Sequence, residues 1–133
     1  MSKEERSLRS ACGFSNLDKV KRLINEGVNM ESRDQYGYTP LMCAAGYGSV
    51  DIVQVLLDNG ANIHHKSNCG TALHLAAGAG HDESVKLLIK RGANPHVKDG
   101  RSETALDYAK QNNRFPTIAI IEAAIKSTKG KND

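Results

Sequence analysis

The sequence predicts an all-α repeat solenoid, a stack of short helix pairs in which each pair contacts its neighbours. Four related segments begin at residues 6, 39, 71 and 104, so their spacings are 33, 32 and 33 residues, a period typical of repeat proteins. Aromatic residues make up only 5% of the chain and Trp is absent. The core must therefore come from Leu, Ile, Val and Ala, which suits thin layers of helices.

The four segments are similar to different degrees. The second and third read TPLMCAAGYGSVDIVQVLLDNGAN from Thr39 and TALHLAAGAGHDESVKLLIKRGAN from Thr71. The first fits without gaps from Arg6 as RSLRSACGFSNLDKVKRLINEGVN. The last, TALDYAKQNNRFPTIAIIEAAI from Thr104, is more degraded. We therefore interpret the chain as four repeats.

Each repeat is predicted to begin with a short helix. Thr39 is suited to the N-cap, and Pro40 to the first turn, where its missing N–H has no consequence. The small residues at Ala44–Ala45 allow a neighbouring helix to approach closely. Gly48 and, in the third repeat, Gly80 are predicted to end this first helix.

The second helix of each repeat carries an apolar face that is too broad for a helix with one side in water. Its apolar residues are Ile52, Val53, Val55, Leu56 and Leu57 in the second repeat, and Val85, Leu87, Leu88 and Ile89 in the third. We therefore expect this helix to be sandwiched between neighbouring repeats. The glycines predicted to follow it as left-handed caps are Gly27, Gly60 and Gly92.

These segments resemble the ankyrin repeat. The resemblance rests on Gly-Tyr-Thr-Pro-Leu at Gly37–Leu41, Thr-Ala-Leu-His-Leu-Ala-Ala at Thr71–Ala77 and Leu-Leu-Asp-Asn-Gly-Ala-Asn at Leu56–Asn62. It extends from about residue 3 to residue 125. The resemblance implies ankyrin repeats in which helix-turn-helix units alternate with β-hairpin finger loops, and a surface of fingers and first helices that binds another protein.

We expect a single domain at 1–128, with repeats at about 3–37, 38–69, 70–102 and 103–126, and a basic tail at 129–133. The outer repeats are polar where the central repeats are apolar. Lys19 and Arg22 replace Ile52 and Val55, Lys110 replaces Ala45 and Ala77, and Glu122 replaces Leu57 and Ile89. Both outer repeats are therefore predicted to cap the stack and the chain to be complete.

Two of the fingers differ in sequence from the finger at Gly37. The loop before Thr71 is one residue shorter, which shifts the finger glycine to Gly70, and Ser102 replaces that glycine in the last finger. We therefore expect both of these fingers to form a different turn.

Charge and composition argue against several classes of protein. The formal net charge is +3, with Lys and Arg dispersed among Asp and Glu except in the tail, at Lys126, Lys129 and Lys131. A nucleic-acid interface usually gathers its basic residues, so weak nucleic-acid binding is only an alternative here. The sequence contains neither the ~20 consecutive apolar residues of a membrane span nor the apolar stretch of a secretory signal. Three cysteines without a CxxC pair indicate a reducing compartment, the cytoplasm or alternatively the nucleus.

The histidines suggest metal binding, but their spacing does not favour it. His64 and His65 are adjacent, and adjacent side chains of extended backbone point to opposite sides. No Cys-x-x-Cys or His-x-x-x-His pattern accompanies them, so we predict no metal and no cofactor. A metal-binding or enzyme-accessory role that uses the histidines is kept as an alternative. The resemblance implies that His74 bonds Thr71 at the helix start, and that His64 and His96 share a loop position which oxygenases hydroxylate in this family.

The cysteines do not predict an enzyme. Cys12 and Cys43 lie among the small residues of the first helices, where a thiol acts as a small hydrophobic group. Cys69 lies at a finger tip and is the most accessible, but no His–carboxylate pair can be assigned to it. The sequence also contains no phosphate-binding loop and no Gly-x-Ser-x-Gly elbow.

The tyrosines are the strongest candidates for binding. Tyr36, Tyr38 and Tyr47 all belong to the second repeat, at positions that the resemblance makes variable and partner-facing. Tyrosine gives a large, rigid contact area with a polar tip, although packing between fingers is an alternative role. Tyr108 aligns with Cys43 and is predicted to pack in the last repeat. The predicted contact set is Gln35, Tyr36, Tyr38, Tyr47, Asn68, Cys69, Arg101, Glu103 and Asn112.

The sequence thus predicts an intracellular adaptor or stoichiometric regulator that binds another protein and is a monomer when free.

Overall fold

The computed structural model of the protein describes residues 2–131, with side chains up to residue 127. Eight helices lie in this part of the chain: α1 (Lys3–Gly13), α2 (Leu17–Asn25), α3 (Pro40–Tyr47), α4 (Val50–Asp58), α5 (Ala72–Ala79), α6 (Asp82–Lys90), α7 (Ala105–Gln111) and α8 (Phe115–Lys131). The three finger loops and the turns between the helices form no strand within residues 2–131, only an isolated bridge between Ser67 and Gly70. The predicted all-α repeat architecture is confirmed.

The helices form two layers. The first helices of the repeats pack in chain order, α1 on α3, α3 on α5 and α5 on α7, and the second helices follow as α2, α4, α6 and α8. Between the layers lies a continuous apolar core. Its fully buried members include Leu8, Val20, Leu41, Ile52, Leu56, Leu73, Val85, Leu88 and Ile121. The predicted apolar faces of the second helices are buried at Ile52, Val53, Leu56, Leu57, Val85 and Leu88, whereas Val55, Leu87 and Ile89 are half-buried.

The first helices of the second, third and fourth repeats begin at their threonines, whereas α1 begins after Ser2. The Thr39 hydroxyl accepts from the Met42 N–H at 3.4 Å, and Pro40 is the first helical residue. In the third repeat the Thr71 N–H donates to Nδ1 of His74 at 3.0 Å, which agrees with the bond implied by the resemblance. These caps satisfy N–H groups that have no partner inside the helix.

Left-handed backbone marks the ends of the helices as predicted. Gly48 and Gly80 end α3 and α5 with φ of 76° and 75°. The glycines after the second helices have φ of 83°, 93° and 101° at Gly27, Gly60 and Gly92.

The finger at 34–38 and the finger at 99–103 have the same turn. The N–H of the first residue donates to the carbonyl of the fifth, at 3.0 Å for Asp34 and 2.8 Å for Asp99. Gly37 is left-handed at φ 82°, and Ser102 takes the same conformation at φ 65°. The expectation that Ser102 changes the turn was therefore wrong, because the hydrogen bonds of the aspartate hold the serine in the left-handed region.

The finger at 67–70 does have a different turn, as predicted. Ser67 and Gly70 exchange N–H···O bonds of 2.9 and 3.0 Å, and the Cys69 N–H donates to the Ser67 hydroxyl at 3.1 Å. Ser67 thus replaces the aspartate of the longer fingers.

Three of the four polar substitutions of the outer repeats, Arg22, Lys110 and Glu122, are exposed, whereas Lys19 is half-buried. Lys110 is exposed although Ala45 and Ala77 at the same position are 0% exposed, and Glu122 is exposed although Leu57 is buried. Helix α8 includes the backbone of 129–131, whereas residues 132–133 of the predicted tail, and the side chains of Lys129 and Lys131, lie outside the described residues. The predicted repeat boundaries remain a prediction.

Ser84 is a buried polar residue in an apolar position. It is 1% exposed, takes the place of Ile52, and its hydroxyl forms no hydrogen bond within the described part of the chain. A buried hydroxyl without a partner costs about 1–3 kcal/mol, so we expect Ser84→Val to raise the free energy of unfolding in urea by about 1 kcal/mol.

Thr117 is the matched control for Ser84, because it occupies the same position in the fourth repeat and is also 1% exposed. Its hydroxyl donates to the Asp82 carboxylate. Thr117→Val should therefore lower the free energy of unfolding by about 1 kcal/mol. The same sign for both variants would contradict this account.

Candidate binding surface

The exposed aromatic side chains gather on the first two repeats. Phe14 is 84% exposed at the end of α1, Tyr47 is 69% exposed at the end of α3, and Tyr36 is 67% exposed on the finger between them. Phe115, at the start of α8, is the only other large apolar side chain with such exposure among the described residues. Phe14, Tyr36 and Tyr47, the exposed aromatic residues of the first two repeats, are called the aromatic cluster below, although only Phe14 and Tyr47 line a common depression.

A depression of about 330 Å³ lies between Phe14 and Tyr47. It is lined by Arg9, Ser10, Gly13, Phe14, Asp34, Cys43 and Tyr47. The Tyr47 ring packs against α1 at Gly13, where a Cβ would be 3.4 Å from Cε2 of the ring, an ordinary van der Waals contact. The surface therefore combines two exposed rings with a concave space that a partner's side chain can enter.

Sequence reasoning missed Phe14. The signal was available, because Phe14 lies 33 residues before Tyr47 and so occupies the same position of the preceding repeat. In the third and fourth repeats this position holds Ala79 and Asn112. The aromatic residues at this position are thus confined to the first half of the stack.

Tyr38 has a different environment from Tyr36. It is half-buried, its ring centroid lies 6.2 Å from that of Tyr36, and the neighbouring Cys69 side chain, with partial burial, raises the pKa of Tyr38 to about 12. Tyr38 therefore braces the finger of the second repeat against that of the third, which is the alternative role considered for these tyrosines.

Tyr108 joins the third and fourth repeats, in agreement with its predicted packing role. Its hydroxyl donates to the Asp99 carboxylate and lies 3.1 Å from the Cys69 carbonyl oxygen, and its ring meets His74 edge-on with centroids 5.0 Å apart. The hydrogen bond from Tyr108 is the main reason why the pKa of Asp99 falls to about 2. The Arg101 guanidinium lies 6.0 Å from the Tyr108 ring centroid.

Three histidines link neighbouring repeats. Nε2 of His65 is 3.0 Å from the Gly37 carbonyl, Nε2 of His74 is 2.9 Å from the Glu103 carbonyl, and Nε2 of His81 is 3.2 Å from the Gly46 carbonyl. Since a carbonyl only accepts, each ring donates from Nε2. Burial lowers the pKa of His74 below its ordinary value of 6.5, which keeps the ring neutral.

The two remaining histidines share one local structure. The N–H of His64 donates to the Asn62 side chain at 2.9 Å, and that of His96 to the Asn94 side chain at 2.8 Å, which places both in the same loop turn. Groups of three or more His, Cys, Asp or Glu side chains that could hold a metal ion are not found among the residues described.

The cysteines differ in accessibility as predicted. Burial raises the pKa of Cys12 to about 12 and that of Cys43 to about 11, so both remain neutral thiols near pH 7. Cys69 is exposed at its finger tip. Cys12 and Cys43 thus act as packing groups.

The rest of the predicted contact set lies at the fingers and the end of α7. Gln35 and Asn68 are exposed, Arg101 forms an ion pair of 3.3 Å with Glu103, and the Asn112 side chain donates to the Tyr108 carbonyl at 2.9 Å. These residues extend the surface from the aromatic cluster towards the fourth repeat.

The comparison with protein-family models gives two matches. A model of ankyrin repeats in three copies matches residues 3–67, and a model of ankyrin repeats in many copies matches residues 56–109. The two matches overlap and together follow the stack from α1 to α7. The comparison with curated proteins gives no match. No described helix is long and apolar enough to cross a membrane.

Proposed function

The chain belongs to the ankyrin-repeat family, whose members are generally protein–protein interaction modules, and we propose that its partner is a protein that docks on the aromatic cluster and the adjoining fingers. Within this surface we propose the contact residues Gln35, Tyr36, Tyr38, Tyr47, Asn68, Cys69, Arg101, Glu103 and Asn112, and we add the exposed Phe14. The protein would act as an intracellular adaptor or stoichiometric regulator, not as an enzyme.

The observation that supports this proposal best is the exposure of the aromatic cluster. Phe14 and Tyr47 expose 84% and 69% of their surface on both sides of one depression. Packing in the stack does not require an aromatic residue there, because the third repeat has Ala79 at this position. Aromatic residues beside a concave space are typical of the few positions that dominate the energy of a protein interface.

The proposal is tested by truncating the aromatic residues. We expect Phe14→Ala, Tyr36→Ala and Tyr47→Ala each to cost ~2 kcal/mol in binding, a loss of ~30-fold in affinity. The partner is obtained by affinity purification from the native cell and identified by mass spectrometry. Affinity is then measured by calorimetric titration with purified partner, and circular dichroism shows whether each variant is folded.

Asp51→Ala and Gln54→Ala are the controls, because both side chains are exposed on α4 in the layer of second helices. They should change the affinity by less than ~0.5 kcal/mol. Equal losses of affinity in the two sets of variants would contradict the proposed binding surface. Tyr38→Ala is expected to lower stability as well as affinity, because this ring braces two fingers.

A further inference from the structure

The third and fourth repeats meet around the ring of His74. Its Nε2 lies 2.9 Å from the Glu103 carbonyl of the last finger, and the Tyr108 ring of α7 meets it edge-on. The Thr71 N–H donates to its Nδ1 at 3.0 Å, and His74 is only 1% exposed. One buried imidazole therefore caps α5 and at the same time joins it to the fourth repeat.

The two ring nitrogens of His74 have opposite roles. A carbonyl only accepts, so Nε2 carries the proton, and Nδ1 is the unprotonated nitrogen that accepts from the Thr71 N–H. A second proton would lie on Nδ1 and face that N–H, so two donors would meet. The Thr71 hydroxyl, 3.1 Å from Nδ1, can rotate to accept this proton, but the backbone N–H would then lose its acceptor. Protonation thus removes a buried hydrogen bond and places a charge away from water.

The histidines that join the second and third repeats do not have this property. His65 and His81 each direct Nε2 at a carbonyl, at 3.0 and 3.2 Å, and Nδ1 of neither ring forms a hydrogen bond within the described part of the chain. A second proton on either ring therefore leaves the existing bond in place. No other repeat has a histidine at the position of His74, where the residues are Arg9, Met42 and Asp107.

The groups around the ring determine the direction of its response to pH. Burial is the largest effect on the pKa of His74 and lowers it below 6.5, and the Lys66 ammonium of the neighbouring finger lowers it further. The Glu103 carbonyl and the Asp99 carboxylate raise this pKa, but by less. Tyr108 stays neutral, because burial raises its pKa to about 12. As the pH falls, the unfolded chain therefore takes up the proton before the folded chain does. The stabilisation by the neutral ring is complete above pH 6.5 and is lost as the pH decreases below it.

We propose that His74 forms an acid-sensitive junction, at which a proton on Nδ1 releases the fourth repeat from the third while the first three repeats stay assembled. Helices α7 and α8 pack on α5 and α6, so the fourth repeat is held by one neighbour at the end of the described stack. The other junctions contain no histidine that accepts a hydrogen bond within the described residues. The inference goes beyond the proposed function, because it concerns the response of the stack to pH. Release would also withdraw the contact residues proposed on the fourth repeat.

Hydrogen exchange measured by mass spectrometry on the full chain tests this junction. Between about pH 7.5 and about pH 5.0, after correction for the intrinsic effect of pH on exchange, amide protection in α7 and α8 should fall several-fold. The fall should not exceed about 30-fold, since one proton changes an equilibrium by at most about tenfold per pH unit below 6.5. Protection in α3 and α4 should change by less than about twofold. A loss of equal size in all four repeats, or no loss in α7 and α8, would overturn the inference.

His74→Gln supplies an acceptor that takes up no proton. Its amide oxygen can accept from the Thr71 N–H, so the protection of α7 and α8 should no longer depend on pH, whatever its absolute level. The matched control is His81→Gln, which removes a histidine that joins two repeats through Nε2 alone. This variant should keep the full loss of protection at low pH. The same pH dependence in the two variants would contradict the role of His74.

A measurement on the unmodified protein covers the case in which His74→Gln does not fold. Nuclear magnetic resonance of the histidine rings gives the pH at which Nδ1 of His74 is protonated in the folded chain. The loss of protection in α7 and α8 should begin near pH 6.5 and end where this nitrogen becomes protonated. A loss that occurs only at lower pH than this protonation would show that another group is responsible.

Discussion

A chain that ends after Lys98 is expected to lose the monomeric, folded state of the protein. The truncation removes α7 and α8, which pack on α5 and α6, and so uncovers Val85 and Leu88, both 0% exposed. The half-buried Ile89 is also uncovered. Burial of each such side chain contributes ~1.5–3 kcal/mol, whereas a whole domain is stable by only ~5–15 kcal/mol.

The same truncation also breaks polar links between the third and fourth repeats. It removes the Glu103 carbonyl that accepts from His74, the Arg114 side chain that donates to the Gly78 carbonyl at 3.2 Å, and the Thr117 hydroxyl that donates to Asp82. We expect aggregation, or oligomers in size-exclusion chromatography with light scattering, and a clearly lower thermal midpoint.

A second truncated chain tests whether exposed apolar surface causes the association. It carries Ala77→Lys and Ile89→Glu. These substitutions give the third repeat the residue types that the fourth repeat has at the same positions, Lys110 and Glu122. We expect less association than in the simple truncation, because polar groups cover the end of the stack. A simple truncation that stays monomeric with an unchanged midpoint would show that the fourth repeat does not cap the third.

The fold could be predicted because the same sequence signals for helix starts, close helix packing and helix ends recur along the chain. The threonine caps, the paired small residues and the glycines recur at nearly one spacing. A signal that is ambiguous in one repeat can therefore be interpreted from the aligned positions of the other repeats. The turn at Ser102 could not be predicted in this way. Its left-handed backbone depends on the hydrogen bonds that Asp99 accepts, and these override the preference for glycine.

The binding surface was predictable only in part. Aligned repeats place Phe14 with Tyr47, but the burial of Tyr38 depends on how closely the next finger, at Cys69, approaches it. That distance is a property of packing between repeats, which the sequence of one repeat does not contain. The exposed fraction of the side chain thus distinguishes Tyr36 from Tyr38, although the sequence predicts the same role for both.

Gly70 is expected to be the least replaceable glycine of the fingers. Its φ is 92°, a conformation that costs a residue with a Cβ about 1–2 kcal/mol. A Cβ at this position would also lie 2.3 Å from Cγ of the His74 ring. The ring cannot withdraw, because it is 1% exposed and bonded on both sides, by the Thr71 N–H and by the Glu103 carbonyl.

We therefore expect Gly70→Ala to lower the free energy of unfolding by about 3 kcal/mol or more, measured by urea denaturation. Gly92→Ala is the matched control, because its φ of 101° is similarly left-handed but a Cβ there has nothing within 4 Å. It should cost only the backbone strain, about 1–2 kcal/mol. Equal decreases in the free energy of unfolding for the two variants would show that the His74 ring moves aside to accommodate the new Cβ.

A double-mutant cycle identifies the ring as the cause of the difference. His74→Ala alone removes the bond that satisfies the Thr71 N–H and the link to Glu103. Added to Gly70→Ala, it also removes the atoms that the new Cβ would meet, so the two substitutions together should cost less than the sum of their separate costs, by about 1 kcal/mol or more. Strictly additive costs would mean that strain in the backbone, and not the approach to His74, requires glycine at this finger.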